Sequence, residues 1–177
     1  MKIITAAAML ALAVPVAAPC AAQMPMAEMP MAPTTTQAMP FLMMAAEADI
    51  FEISSSQIAV MRSQNPRVRA YASMLIEHHT MTTNTALRQA KAAGIMAPPA
   101  VLQADKRDMI TQLLQAAPAD FDRLYFTQQV AAHEQALALH TTYARNGDTP
   151  QLRTAAVGAV PFVTRHLAEA RRMSGAM

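Results

Sequence analysis

Only five histidines occur in this chain of 177 residues, and two are adjacent, in "LIEHHTMTTN" from Leu75 to Asn84. Neutral imidazole is a ligand for divalent metals and also carries protons near neutral pH. Either chemistry needs rings that face a shared interior point. The helical spacing of i, i+3 or i+4 and i+7 shows which rings do so. His79 shares a face with Val68, Ala72, Leu75, Thr82 and Ala86. His78 is turned about 100° away and joins Tyr71, Met74, Met81 and Thr85, as a solvated residue or an outer neighbour of the inward ring. His133 lines up with Asp122, Phe126, Gln129, Leu137 and His140. His166 lies among Leu152, Ala155, Ala159, Phe162, Val163 and Ala170. On the face formed by Phe41, Ala45, Ala48, Ser55 and Ala59, the one charge is Glu52.

Glu52, His79 and His133 each fall near the middle of a helical segment, and His166 about one turn past the middle of its own. In an up-and-down arrangement those midpoints share a level, so the four residues converge. One carboxylate and three imidazoles suit one divalent ion such as zinc, copper or iron. They equally suit a metal-free network in which buried Glu and His satisfy one another and fix helix register. A di-iron oxidase is disfavoured, because its Glu-x-x-His pairs are absent. A hydrolase has little support, since Ser54, Ser55 and Ser56 lie inside a helix without a nucleophile elbow. No residue is assigned a catalytic role.

The elements that must position these groups are legible from breaks in the pattern. A first long helix spans 41–62. Asn65-Pro66 reads as the cap and first residue of a second, which runs to about Ala93 with Gly94 as its stop. "IMAPPA" is a loop, and a short amphipathic helix spans 101–115. A third long helix spans 119–146 and ends at Gly147. Thr149-Pro150 opens a fourth that runs to about Met173, with Pro161 inside it. The expected fold is all-α: a ferritin-like antiparallel four-helix bundle over 41–174, with the short helix in the connection between the second and third long helices.

Ahead of that domain, Lys2 and the apolar run "IITAAAMLALAVPVAA" read as a signal peptide over 1–22, cleaved after Ala22. The run is too short and too broken by Pro15 and Pro19 for a membrane anchor. A lipid anchor on Cys20, the only cysteine, is disfavoured by Pro19 before it. Residues 23–40, "QMPMAEMPMAPTTTQAMP", read as a disordered Met/Pro-rich linker. Its methionines, Met24, Met26, Met29, Met31 and Met39, are of a type that binds Cu(I), and they equally suit a plain tether. The net charge of +2, the lack of a basic run and an aromatic content of 5% speak against nucleic acid as a partner.

Four stretches carry a family resemblance: "FLMMAAEADIFEISSSQIA", "YASMLIEHHTMTTNTALRQAKAAG", "FDRLYFTQQVAAHEQALALHTTYARNGD" and "VPFVTRHLAEA". From Phe41 to Arg172 the chain resembles the bacterial family called domain of unknown function 4142. The resemblance implies an exported helical bundle of the periplasm or cell envelope, and no established activity. Its signature positions map to Glu52, the acid-His pair within Glu77-His78-His79, Phe121, Asp122, Tyr125, His133 and His166. The expectation is an exported protein that binds one divalent ion through Glu52, His79, His133 and His166. The alternative is a non-catalytic envelope stress or interaction protein whose Glu/His network is structural.

Overall fold

A computed structural model describes residues 34–176. The expected signal peptide, and the linker as far as residue 33, lie outside the described residues. Five helices follow in order: α1 (Ala38–Arg62), α2 (Pro66–Ala92), α3 (Ala104–Gln115), α4 (Pro118–Asn146) and α5 (Pro150–Ser174). No strand occurs among the described residues. Nor is any described helix long and apolar enough to cross a membrane.

The helix ends follow local chemistry. The Asn65 side chain accepts the backbone N–H of Arg67, and Pro66 opens α2, where a missing N–H is harmless. Gly94 takes the left-handed conformation after α2, with φ at 72°. Two boundaries and one cap differ from the sequence reading. First, α1 starts at Ala38 rather than Phe41, because Pro40 falls in the first turn, where no intrahelical donor is lost. Second, α3 starts at Ala104, leaving Val101 and Leu102 in the loop. Third, Thr149 precedes α5 without capping it; its hydroxyl donates to Asp148 Oδ1 instead.

Each long helix packs on two others: α1 on α2 and α4, and α5 on α4 and α2. Two apolar clusters mark opposite poles. At one, Ile58 and Ala59 near the end of α1 meet Val68 and Ala72 near the start of α2, Phe121 and Tyr125 near the start of α4, and Met173 at the end of α5. At the other, Phe41 and Leu42 meet Ala90, Tyr143 and Leu152. Every packed pair of long helices is therefore antiparallel, with α1 and α5 running one way and α2 and α4 the other. Burial of each large side chain in these clusters is worth about 1.5–3 kcal/mol. Pro161 leaves the carbonyl of Val157 without its helical donor, and Val157 is exposed.

Both poles carry a polar clasp. Arg62 donates to the carbonyls of Leu113, Leu114 and Ala116, tying the end of α3 to the end of α1. At the other pole Asp148, in the α4–α5 turn, accepts the N–H of Ala38 at 3.2 Å and gives its own N–H to Thr36. Asp148 thus caps α1 from a turn 110 residues away.

Candidate metal centre

Between the two apolar poles lies a polar layer. Glu52 and Asp49 project from α1, His78 and His79 from α2, Gln129 and His133 from α4, and His166 from α5. Glu52, His79, His133 and His166 are all buried, at 0 to 3% exposure. All four residues singled out by helical spacing are therefore brought together. The rings of His79, His133 and His166 form a nearly equilateral triangle, with centroids 5.4–5.5 Å apart. Each offers one nitrogen within 4.8 Å of the other two. Asp49, Glu52 and His79 form a second such group.

The hydrogen bonds orient the rings. His79 Nδ1 lies 2.8 Å from Asp49 Oδ1 and 2.9 Å from Glu52 Oε2, and its hydrogen is directed at Asp49. His133 donates its Nδ1 hydrogen to the Gln129 carbonyl one turn back, at 2.8 Å. His133 Nδ1 is also 3.3 Å from Glu52 Oε1, but that one hydrogen is already used. Both oxygens of Glu52 are therefore buried without a well-directed donor, and so are His79 Nε2, His133 Nε2 and His166 Nδ1. Buried polar atoms normally have partners. In this layer the unsatisfied atoms are both Glu52 oxygens, the Gln129 side-chain oxygen and three ring nitrogens. Imidazoles whose second nitrogen is held by a carboxylate or carbonyl are a recurring arrangement around metals.

Burial opposes the charge on Glu52, but the imidazoles of His79 and His133 outweigh it and hold the carboxyl down at about 2. Burial likewise opposes a proton on His79. The Glu52 charge, together with the close approach of the Asp49 and Glu52 carboxylates to Nδ1, overcomes it and pushes the group up to about 10. Burial, with the charge of His79, lowers His133 and takes His166 down to about 2. His166 is thus neutral at ordinary pH, and His133 is shifted toward its neutral form, which leaves its Nε2 lone pair open.

Three residues were misjudged or passed over in the sequence. Asp49 is buried at 8% exposure and bonded to His79, Thr82 and Thr83, so Glu52 is not the only acid turned inward. Its spacing of three residues from Glu52 carries the signal that could have found it. His78, expected as either a solvated residue or an outer neighbour, is the latter: it is half-buried, with Nδ1 at 2.8 Å from His166 Nε2, a partner the spacing did not name. Gln129 holds His133 through its carbonyl and donates its side-chain amide to Ser55. Tyr125 bonds to Ser56 Oγ at 2.9 Å, bracing α4 on α1 toward the pole.

Fold and site together define an all-α protein with a buried Glu/His cluster suited to a metal ion. The chain belongs to the family described as "Domain of unknown function (DUF4142)", whose model matches residues 21–173. The solved structure "CopM in the Cu(II)-bound form" has a similar fold, with a TM-score of 0.67 and 14% identity. The similarity covers 78% of this chain and 96% of that one. No curated protein matches the chain.

Proposed function

We propose that this chain is an exported envelope protein that holds one divalent metal ion through Glu52, His79, His133 and His166. Its four long helices are read as a ferritin-like antiparallel bundle that fixes the four ligands at mid-height. The observation that carries the reading is the set of buried atoms without partners: both Glu52 oxygens, His79 Nε2, His133 Nε2 and His166 Nδ1. A cation beside the three open ring nitrogens gives them a common partner, and the Glu52 charge lies against two of those rings. Zinc, copper and iron all accept this donor set. The fold shared with CopM, solved in a Cu(II)-bound form, puts copper among the first ions to test.

One observation favours a second reading. The Asp49–His79–Glu52 contact is an ion pair that needs no metal. In that case the cluster is a structural device of a non-catalytic envelope protein, setting helix register. Elemental analysis separates the two. The protein is purified from the full chain without a histidine tag or chelator, beside His166→Ala. About one equivalent of metal per chain, lost in the variant, supports the metal centre. No metal in either protein, after reloading with zinc, copper and iron, overturns it.

A further inference from the structure

We propose that His78 is the relay ligand through which the buried centre loads. It takes the ion at the half-buried edge between α2 and α5 and passes it to His166. The inference rests on the metal-binding reading above and concerns how that same site fills.

Of the five histidines, four are buried, and His78 alone is half-buried. Its ring stacks on His166, with centroids 5.0 Å apart and planes within 8°. His78 Nδ1 and His166 Nε2 are 2.8 Å apart, so they share one hydrogen. The other nitrogen of His166 is buried without a partner, and its ring is 5.4 Å from His79 and 5.5 Å from His133. His166 therefore has one nitrogen engaged with the accessible ring and another free beside the buried triad. The result is a continuous line of imidazole nitrogens from the edge to the interior. An ion moving along it exchanges one water or ligand at a time, and is never stripped in one step.

The competing route runs past Asp49, which lines a cavity of about 360 Å³ with Leu42, Ala46, Leu87 and Pro98. That lining is mainly apolar and gives a hydrated cation nothing to bind before Asp49. The Asp49 oxygens are already held by His79, Thr82 and Thr83. At the His78 edge the flanking groups are Phe162, 5.1 Å from the His78 ring, and Arg165, stacked over Phe162 at 5.4 Å. The Arg165 charge slows an approaching cation, and its removal speeds approach.

The test uses tag-free protein from the full chain, stripped by chelator and mixed with cobalt(II) in a stopped-flow spectrometer. His78→Phe keeps a flat ring against His166 but has no nitrogen; His78→Ala removes the ring. Both are expected to load about tenfold more slowly and to release to chelator correspondingly more slowly, with stoichiometry and equilibrium affinity retained. Arg165→Gln, an exposed change that spares the fold, is expected to load faster at low salt. Wild-type association rates in all three variants overturn the proposal. So does weakened affinity at an unchanged association rate, which makes His78 only a prop for His166. Slow loading confined to Ala46→Leu, which fills the cavity beside Asp49, overturns it in favour of the other route. Failure of wild-type protein to take up cobalt(II) removes the metal reading itself, and is recognised because it appears without any variant.

Discussion

The Nδ1 of His79 lies against two carboxylates, 2.8 Å from Asp49 Oδ1, which takes its hydrogen, and 2.9 Å from Glu52 Oε2. The two acids come from one face of α1, three residues apart, and grip the same edge of the ring. His79 is thereby fixed with Nδ1 toward α1, leaving Nε2 as its open nitrogen near His133 and His166.

Asp49 should therefore matter to metal binding without belonging to the four expected ligands. In Asp49→Asn the side chain keeps its size but loses its charge. The variant is expected to retain one site per chain while binding about 10–100-fold more weakly. A competition titration against a chromophoric chelator reads that change. Unaltered affinity would mean that Glu52 alone orients the ring.

The metal-free protein should show a stability maximum near neutral pH. His133, His140 and His166 are all lowered, chiefly by burial, so each takes up a proton less readily in the folded chain than in the unfolded chain, which protonates them below about 6.5. Stability falls as pH drops through that range, because the unfolded chain takes up protons there that the folded chain resists. His79 offsets part of it: its contribution is complete below 6.5 and is lost as pH rises toward about 10. Glu52 contributes above 4.5 and loses that contribution as pH falls toward about 2. Melting curves in chelator at about pH 5, 7 and 9 should therefore fall away on both sides, more steeply on the acid side. Metal binding near neutral pH should also release about one proton, from His79.

Helix ends were legible because single residues signal them: Asn65-Pro66, Gly94 and Pro150 act on their own neighbours. The inward turn of Glu52, His79, His133 and His166 was legible because helical periodicity sorts one apolar face from the rest. Asp49 was not singled out, because its three-residue spacing from Glu52 is only a weak signal until His79 and two threonines of α2 bond it. Asp148 was not legible either. Its role is to cap α1 across the fold, and no local pattern records a partner 110 residues away. His78 needed α5 in place before its contact with His166 existed.

Gly147 gives a prediction remote from the polar layer. The residue ends α4 at φ −60°, so left-handed freedom is not what requires glycine there. A Cβ at Gly147 would come within 2.5–2.7 Å of the Tyr143 ring. That ring cannot simply swing away. It stacks on Phe41 with centroids 3.9 Å apart, and its hydroxyl donates to Asp148 Oδ1 at 2.8 Å. Gly147→Ala should cost about 1–3 kcal/mol, seen as a lower melting temperature, with metal affinity unchanged. A wild-type melting temperature would show that this pole repacks freely.

Glu52→Gln tests the electrostatic centre of the cluster. The change keeps the shape of the side chain and removes a fully buried charge. His79 holds its proton up to about 10 despite burial, and the Glu52 charge is the largest force holding it. In the variant the His79 titration, followed by NMR of its ring protons, should move down. Metal uptake should fall with it, because the one carboxylate among the four expected ligands is gone. A metal-free network predicts the same downward titration, but no metal to lose in the wild type. If the His79 titration stays put in Glu52→Gln, Asp49 rather than Glu52 holds that proton, and the assignment of charge within the cluster has to be reversed.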